Sequence, residues 1–273
     1  MKRLIITADE FGQTRDVNIA IDELFNMGCI TNAALMPNMD FTDESIELAN
    51  KHHINVGVHF NLTEGKPLSN SAEVKSLIDK NGHFFPPLIF LTRYFLGLIK
   101  IGEVEKELRA QIKKLRDAKI KLTHFDGHCY IQMMPGLMEI MVRVCKENSV
   151  DKTRLAHEKW HYRPNGIAVL ITYNFWFRKF LPSLFLNKMR KILWRNSIRH
   201  TDNFYGALII DACDVQGKLI SVLNNVKEGS SELMVHPGMD NAKRKAEYDT
   251  LKSELFRNGI KANGIELISY SEL

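Results

Sequence analysis

Short apolar runs and helix-period segments alternate through almost the whole chain, and this alternation limits the folds open to it more than any other feature. "RLIITADEFG" reads as a buried strand, and "VNIAIDELFNMG" follows with apolar residues at helical spacing and a glycine stop. "ITNAALMPN", "INVGVHFNLTEG", "KLTHFD", "TRLA", "SELMVHPG" and "GIELISYSEL" read as further strands. Between them "DESIELANKHH", "EVEKELRAQIKKLRDAKI", "PGLMEIMVRVCKEN", "GKLISVLNNVKEG" and the long "NAKRKAEYDTLKSELFRNG" read as helices. A less regular stretch covers 66–100. Such alternation predicts a parallel sheet covered by helices. Seven or eight units in 273 residues favour an α/β, TIM-barrel-like (β/α) barrel, possible in irregular form, as a single domain over 1–273.

The second constraint is where polar groups fall along these runs. Asp9 and Glu10 end the first strand, and His59 lies near the end of the third. In "LTHFDGHCYIQMMPG", His124, Asp126 and His128 recur at every second position, Arg154 lies in the next strand, and His236 ends "ELMV". The carboxyl ends of parallel strands form one rim, so residues distant in sequence converge there. Two histidines and a carboxylate are a frequent divalent-metal set with coordination positions left open. Any single histidine is better read as satisfying a local hydrogen bond, and His52, His53, His83 and His200 stay with that reading. For His59, His128 and an acid at 9–10 taken together, packing alone is the weaker account. Adjacent acids at a strand mouth repel unless a positive charge lies close, although one of them is explained by the amino end of the helix that follows.

Four scattered cysteines without Cys-x-x-Cys spacing argue against a disulfide framework or a thiolate zinc site. Cys129 falls on the face opposite His128 if that segment is extended. No apolar stretch reaches bilayer-spanning length and the first residues do not read as a signal peptide, so the expected location is cytoplasmic.

Residues 159–201 stand apart: they carry nine Lys and Arg and no Asp or Glu, interleaved with Trp160, Tyr162, Tyr173, Phe175, Trp176, Phe177 and Trp194. The chain as a whole is +5, so the remainder is −4 and the basic excess is local. This segment is expected to be an inserted basic helical element. It is either a lid or subunit contact, which leaves a homodimer open, or a peripheral dock for anionic lipid or membrane surface. It matches no nucleic-acid-binding module.

Taken together, "LIITADEFG", "VGVHFNLTEGKPL", "THFDGHCYIQMMPG", "TDNFYG", "ELMVHPG" and "GIELISY" resemble the YdjC-like carbohydrate deacetylases nearly end to end. The resemblance implies metal-dependent removal of an acetyl group from an N-acetylated sugar, with one divalent ion, Mg or Zn. By position it implies Glu10, His59 and His128 as metal ligands, Asp9 as general base, His236 as general acid and Arg154 beside the base. His124, Asp126 and Asn61 are expected to support the ligands or the substrate. Two departures stand out: Glu10 replaces the family's second aspartate, and Tyr130 and Gln132 replace histidines that often follow the main one. Two other readings stay open: a two-histidine, one-carboxylate oxygenase, or a degenerate member that binds glycan or membrane without catalysis.

Overall fold

The computed structural model describes residues 1–158, 181–207, 209 and 212–273. Among the described residues there are seven strands: β1 (Lys2–Phe11), β2 (Asn32–Leu35), β3 (Val56–Phe60), β4 (Leu122–Gly127), β5 (Asn203–Tyr205), β6 (Gly229–Val235) and β7 (Ile265–Leu267). Every pairing among them is parallel, in the order β4-β3-β2-β1-β6-β5. β6 runs along Lys2–Ala8 of β1, while β7 and β2 pair with Lys2–Leu4 and Thr7–Phe11 respectively. β1 is therefore central, and Leu4 through Phe11 are all buried, as a strand covered on both faces requires.

The sheet curls towards closure through bridges outside the named strands. Phe125 pairs with Thr153, and Lys152 pairs with Arg199, just ahead of β5. This is an α/β, TIM-barrel-like architecture with helices packed around a curled parallel sheet. The helices are α1 (Arg15–Asn26), α2 (Thr42–His52), α3 (Pro87–Phe95), α4 (Ile101–Asp117), α5 (Leu137–Glu147), α6 (Leu181–Arg195), α7 (Val215–Asn225), α8 (Ala242–Lys252) and α9 (Glu254–Ala262). The longer helices bury one stripe: α4, for example, turns Val104, Leu108, Ile112 and Leu115 inward.

The single helix expected over 241–259 is two. Ser253 takes an extended backbone (ψ 150°), and its side chain accepts from the Phe256 N–H at 3.2 Å, capping α9. The closing strand is also shorter than its sequence suggested, because residues 270–272 form a 3-10 turn. Of the basic segment, 159–180 lies outside the described residues. The part within them is α6, which buries Leu186, Met189 and Leu193 while Lys188, Arg190, Lys191 and Trp194 face outward. No helix among the described residues is long and apolar enough to cross a membrane.

Candidate active site

Strand alternation should send Asp9 and Glu10 to opposite faces. It does not, because the β1–β2 register shifts between Ala8 and Phe11 and Glu10 takes a left-handed backbone (φ 67°). That conformation costs a non-glycine residue on the order of 1 kcal/mol or more and concentrates at functional sites. Both acids thereby line one pocket. The chain after β4 turns by the same device. Cys129 and Tyr130 are consecutive left-handed residues (φ 53° and 57°) inside a 3-10 segment. The segment is therefore not extended, and Cys129 lines the pocket beside His128 rather than facing away.

The pocket, about 320 Å3 with the solvent at its open mouth included, is lined by Asp9, Glu10, His59, Gly127, His128, Cys129, Tyr130, Arg154, Met234 and His236. Strand ends from β1, β3, β4 and β6, with the 152–154 segment, thus bring together six of the residues singled out from sequence. The His59 and His128 rings are 5.6 Å apart, edge to face. Glu10 Oε1 lies 3.6 Å from His128 Nδ1, and Glu64 Oε2 lies 3.4 Å from His128 Nε2. Among the described residues, Asp9, His59 and Asp126 also offer atoms within 4.8 Å of one another.

A buried charge network supports this surface. Arg154, 1% exposed, donates to both oxygens of Asp9 at 2.6 and 2.7 Å, and to Glu232 from Nε and Nη2 at 3.0 and 2.9 Å. Its Nη1 is also 2.9 Å from Asp126 Oδ2. Asp126 Oδ1 is 2.7 Å from His59 Nδ1, which assigns the ring proton to Nδ1 and leaves Nε2 as the lone-pair nitrogen. Burial opposes the charge on Asp126, but Arg154 and His59 outweigh it and hold the carboxyl well below its usual range. Burial likewise opposes charge on Glu10, yet His236, His128, Arg244 and His59 hold its pKa down to about 2. His128 is lifted well above the usual imidazole value: burial works against this, and Cys129, Glu64 and Glu10 overcome it. The acids here are thus met by cations of the chain itself: Asp9 by Arg154, and Glu10 by Arg244 and His128.

Two of the residues singled out from sequence lie elsewhere. His124 shares the inward face of β4 with Asp126 but sits two residues deeper, where it stacks on Tyr270 (4.0 Å, 12°) and bonds Thr123. Its ring fills the space above Gly57, where a Cβ would lie 2.3 Å from it. Burial pushes its pKa down to about 3, so it is a neutral packing group below the pocket and does not fix the ligand histidines. Asn61 shapes the loop after β3: its Oδ1 accepts from the Thr63 and Glu64 N–H groups at 3.0 and 3.1 Å, which sets Glu64 at the rim.

Four polar residues that sequence reasoning passed over join the site: Glu64, Glu232, Arg244 and Glu247. Arg244 reaches Glu10 Oε2 and, at 2.5 Å, Gln13 Oε1. Glu10's extra methylene carries its carboxylate to that contact. Glu247, buried on α8, accepts the His236 backbone N–H at 2.6 Å. Burial pushes its pKa up to about 7 from 4.5, against the pull of that N–H and of Arg244. A raised carboxyl stabilises the fold below about pH 4.5 and loses that contribution as pH rises through about 7. Glu247→Gln is therefore expected to gain stability over the native chain between pH 5 and pH 8, by roughly 1–3 kcal/mol. Urea unfolding at both values checks this, and an identical difference at the two pH values would refute it.

The YdjC-like protein family model matches residues 3–262. A carbohydrate deacetylase of Xenopus laevis is 27% identical, covering 99% of this chain and 98% of its own length. The human carbohydrate deacetylase is 30% identical, covering 86% and 75%. A crystal structure from Enterococcus faecalis, provisionally described as a cellobiose-phosphate cleavage protein, superposes with TM-score 0.79 at 22% identity, covering 99% and 98%. With the family match spanning nearly every strand end that builds the pocket, the chain belongs to the YdjC-like protein family.

Proposed function

We propose that this chain is a metal-dependent hydrolase that removes the acetyl group from an N-acetylated sugar, with Glu10, His59 and His128 holding one divalent ion. The observation that carries the reading is the gathering of two histidines, two acids, an arginine and a third histidine around one pocket, in a chain whose relatives are carbohydrate deacetylases. The donor set fits such an ion. His59 presents Nε2 because Asp126 takes Nδ1, Glu10 is ionised, and the two imidazoles are close enough to share an ion, which would displace the proton that His128 holds. The Asp9–His59–Asp126 group is a weaker cradle, since Arg154 already supplies positive charge to both carboxylates. Two nitrogens and a carboxylate suit zinc, while magnesium, which prefers oxygen ligands, rests on the family resemblance alone.

A bound divalent ion would polarise the acetyl carbonyl and lower the pKa of the attacking water. Asp9, oriented by the two Arg154 bonds, takes the proton of that water. His236, held at its backbone by Glu247, gives a proton to the nitrogen as the C–N bond breaks. The products are acetate and a free amine. The reading is tested by acetate release from a panel of N-acetylated mono- and oligosaccharides, with each divalent ion supplied in turn. Release that requires both the ion and Asp9 supports it, and no release across the panel would refute it.

One observation favours a second reading, a member that binds glycan without efficient turnover: Arg244 occupies one oxygen of Glu10. Glu10→Asp separates the two. A gain of about 100-fold in kcat/KM, some 3 kcal/mol of transition-state stabilisation, would mean that the native residue impairs catalysis. An unchanged or lower value supports the deacetylase reading with Glu10 as a working ligand.

A further inference from the structure

The floor of the barrel is tied to its mouth by one line of polar contacts, and that line begins at the carboxyl terminus. Tyr270, in the closing 3-10 turn, is fully buried, and its hydroxyl donates to Glu232 Oε2 at 2.7 Å. Glu232 Oε1 receives Arg154 Nε and Nη2 at 3.0 and 2.9 Å. Arg154 in turn grips both oxygens of Asp9 at 2.6 and 2.7 Å. None of these four residues is more than 2% exposed. Asp9 and Asp126 hold only the Nη1 and Nη2 end of the guanidinium, which leaves its Nε edge to be fixed. Here Glu232 holds the opposite edge, which fixes the plane in which Asp9 is held.

Tyr270 is itself immobilised from three sides. Its backbone N–H donates to Asn32 Oδ1 at 3.1 Å, its ring stacks on His124, and its hydroxyl is taken by Glu232. The turn that carries it is closed by a capping box between Ser269 and Glu272. The Lys152 ammonium, two residues before Arg154, donates to the Ser271 carbonyl at 3.3 Å.

We propose that Glu232 and Tyr270 are positioning residues for the reaction. Through Arg154 they fix the orientation of Asp9, so the carboxyl-terminal turn is part of the catalytic apparatus although it touches no substrate. This rests on the deacetylase reading for Asp9. Tyr270→Phe keeps the ring and its stacking and removes only the hydroxyl. It is expected to lower kcat about 10- to 100-fold while KM and divalent-ion affinity stay within about 2-fold, because misplacing a catalytic group costs rate rather than binding. In a Glu232→Gln background the same change should cost less than 3-fold, since the relay is already cut. Equal losses in both backgrounds, or a rise in KM with kcat intact, would overturn the proposal.

A stability cycle tests the relay without any turnover, so its failure is distinguishable from failure of the deacetylase reading. Midpoints of unfolding are measured for Tyr270→Phe, Asp9→Asn and the double variant. Side chains joined only through two intermediaries add unless those intermediaries couple them. A double-variant shift at least a quarter smaller than the sum supports the relay, and shifts that sum within error refute it.

Discussion

His128→Ala is expected to abolish acetate release, by at least 1,000-fold in kcat/KM, and to weaken divalent-ion binding at least 100-fold. The reason is geometric. His128 faces Glu10 from Nδ1 and Glu64 from Nε2, with the His59 ring 5.6 Å away, so it is the imidazole that joins the two sides of the mouth. Losing an outer support of a metal ligand costs about 10- to 100-fold, and losing the ligand itself costs more. The fold should tolerate the change, because the His128 side chain keeps 12% exposure and lines the pocket at the start of the 3-10 segment. Calorimetric titration with the ion, alongside acetate assays, checks both parts. Retention of either would remove His128 from the ligand set.

Arg154→Met is expected to have the largest effect on stability. The guanidinium is the shared partner of Asp9, Asp126 and Glu232, all of them at most 3% exposed at the side chain. Methionine fills much of the volume but strands three buried carboxylates. Removing one partner from a buried ion pair costs about 3–5 kcal/mol, against a whole-domain stability of about 5–15 kcal/mol. Electrostatics therefore outweighs the lost packing, and the variant sits near the limit of folding at neutral pH. Acid should narrow the deficit, because carboxyls without a cation are raised by burial and protonate first. Urea midpoints at pH 5 and pH 7 read this directly, and a deficit that widens on acidification would contradict it. Arg154→Lys restores a charge without the two-pronged grip, so it should recover stability more than activity.

The barrel was legible because its signal is repetitive: apolar strands and helix-period segments alternate, and β1, β3, β4 and β6 deliver polar groups at or just past their carboxyl ends. Asp9, Glu10, His59, His128, Arg154 and His236 were visible by that rule and do line one pocket. What escaped did so for identifiable reasons. The opposite face for Cys129 depended on an extended segment, and the backbone turns left-handed at that residue. Ser253 breaks the long helix through a capping side chain that helical periodicity overrides in a reading by pattern. Glu232 carried a signal that was passed over: an ionisable residue in the middle of a strand buried on both faces has to find a partner. Arg244, Glu247 and Tyr270 had no such signal. Their importance arises from contacts across more than 30 residues of sequence, or from α8 packing over the mouth.

Metal-dependent deacetylation here requires that Glu10, His59 and His128 share one cation. The measurement that addresses this most directly is equilibrium titration of metal-stripped protein with Zn, Co and Mg, repeated in Glu10→Ala, His59→Ala and His128→Ala. One ion per native chain, lost or weakened at least 100-fold in all three variants, is the expected result. An ion bound as tightly in His59→Ala or His128→Ala as in the native chain, or a native chain that takes up none, would contradict it.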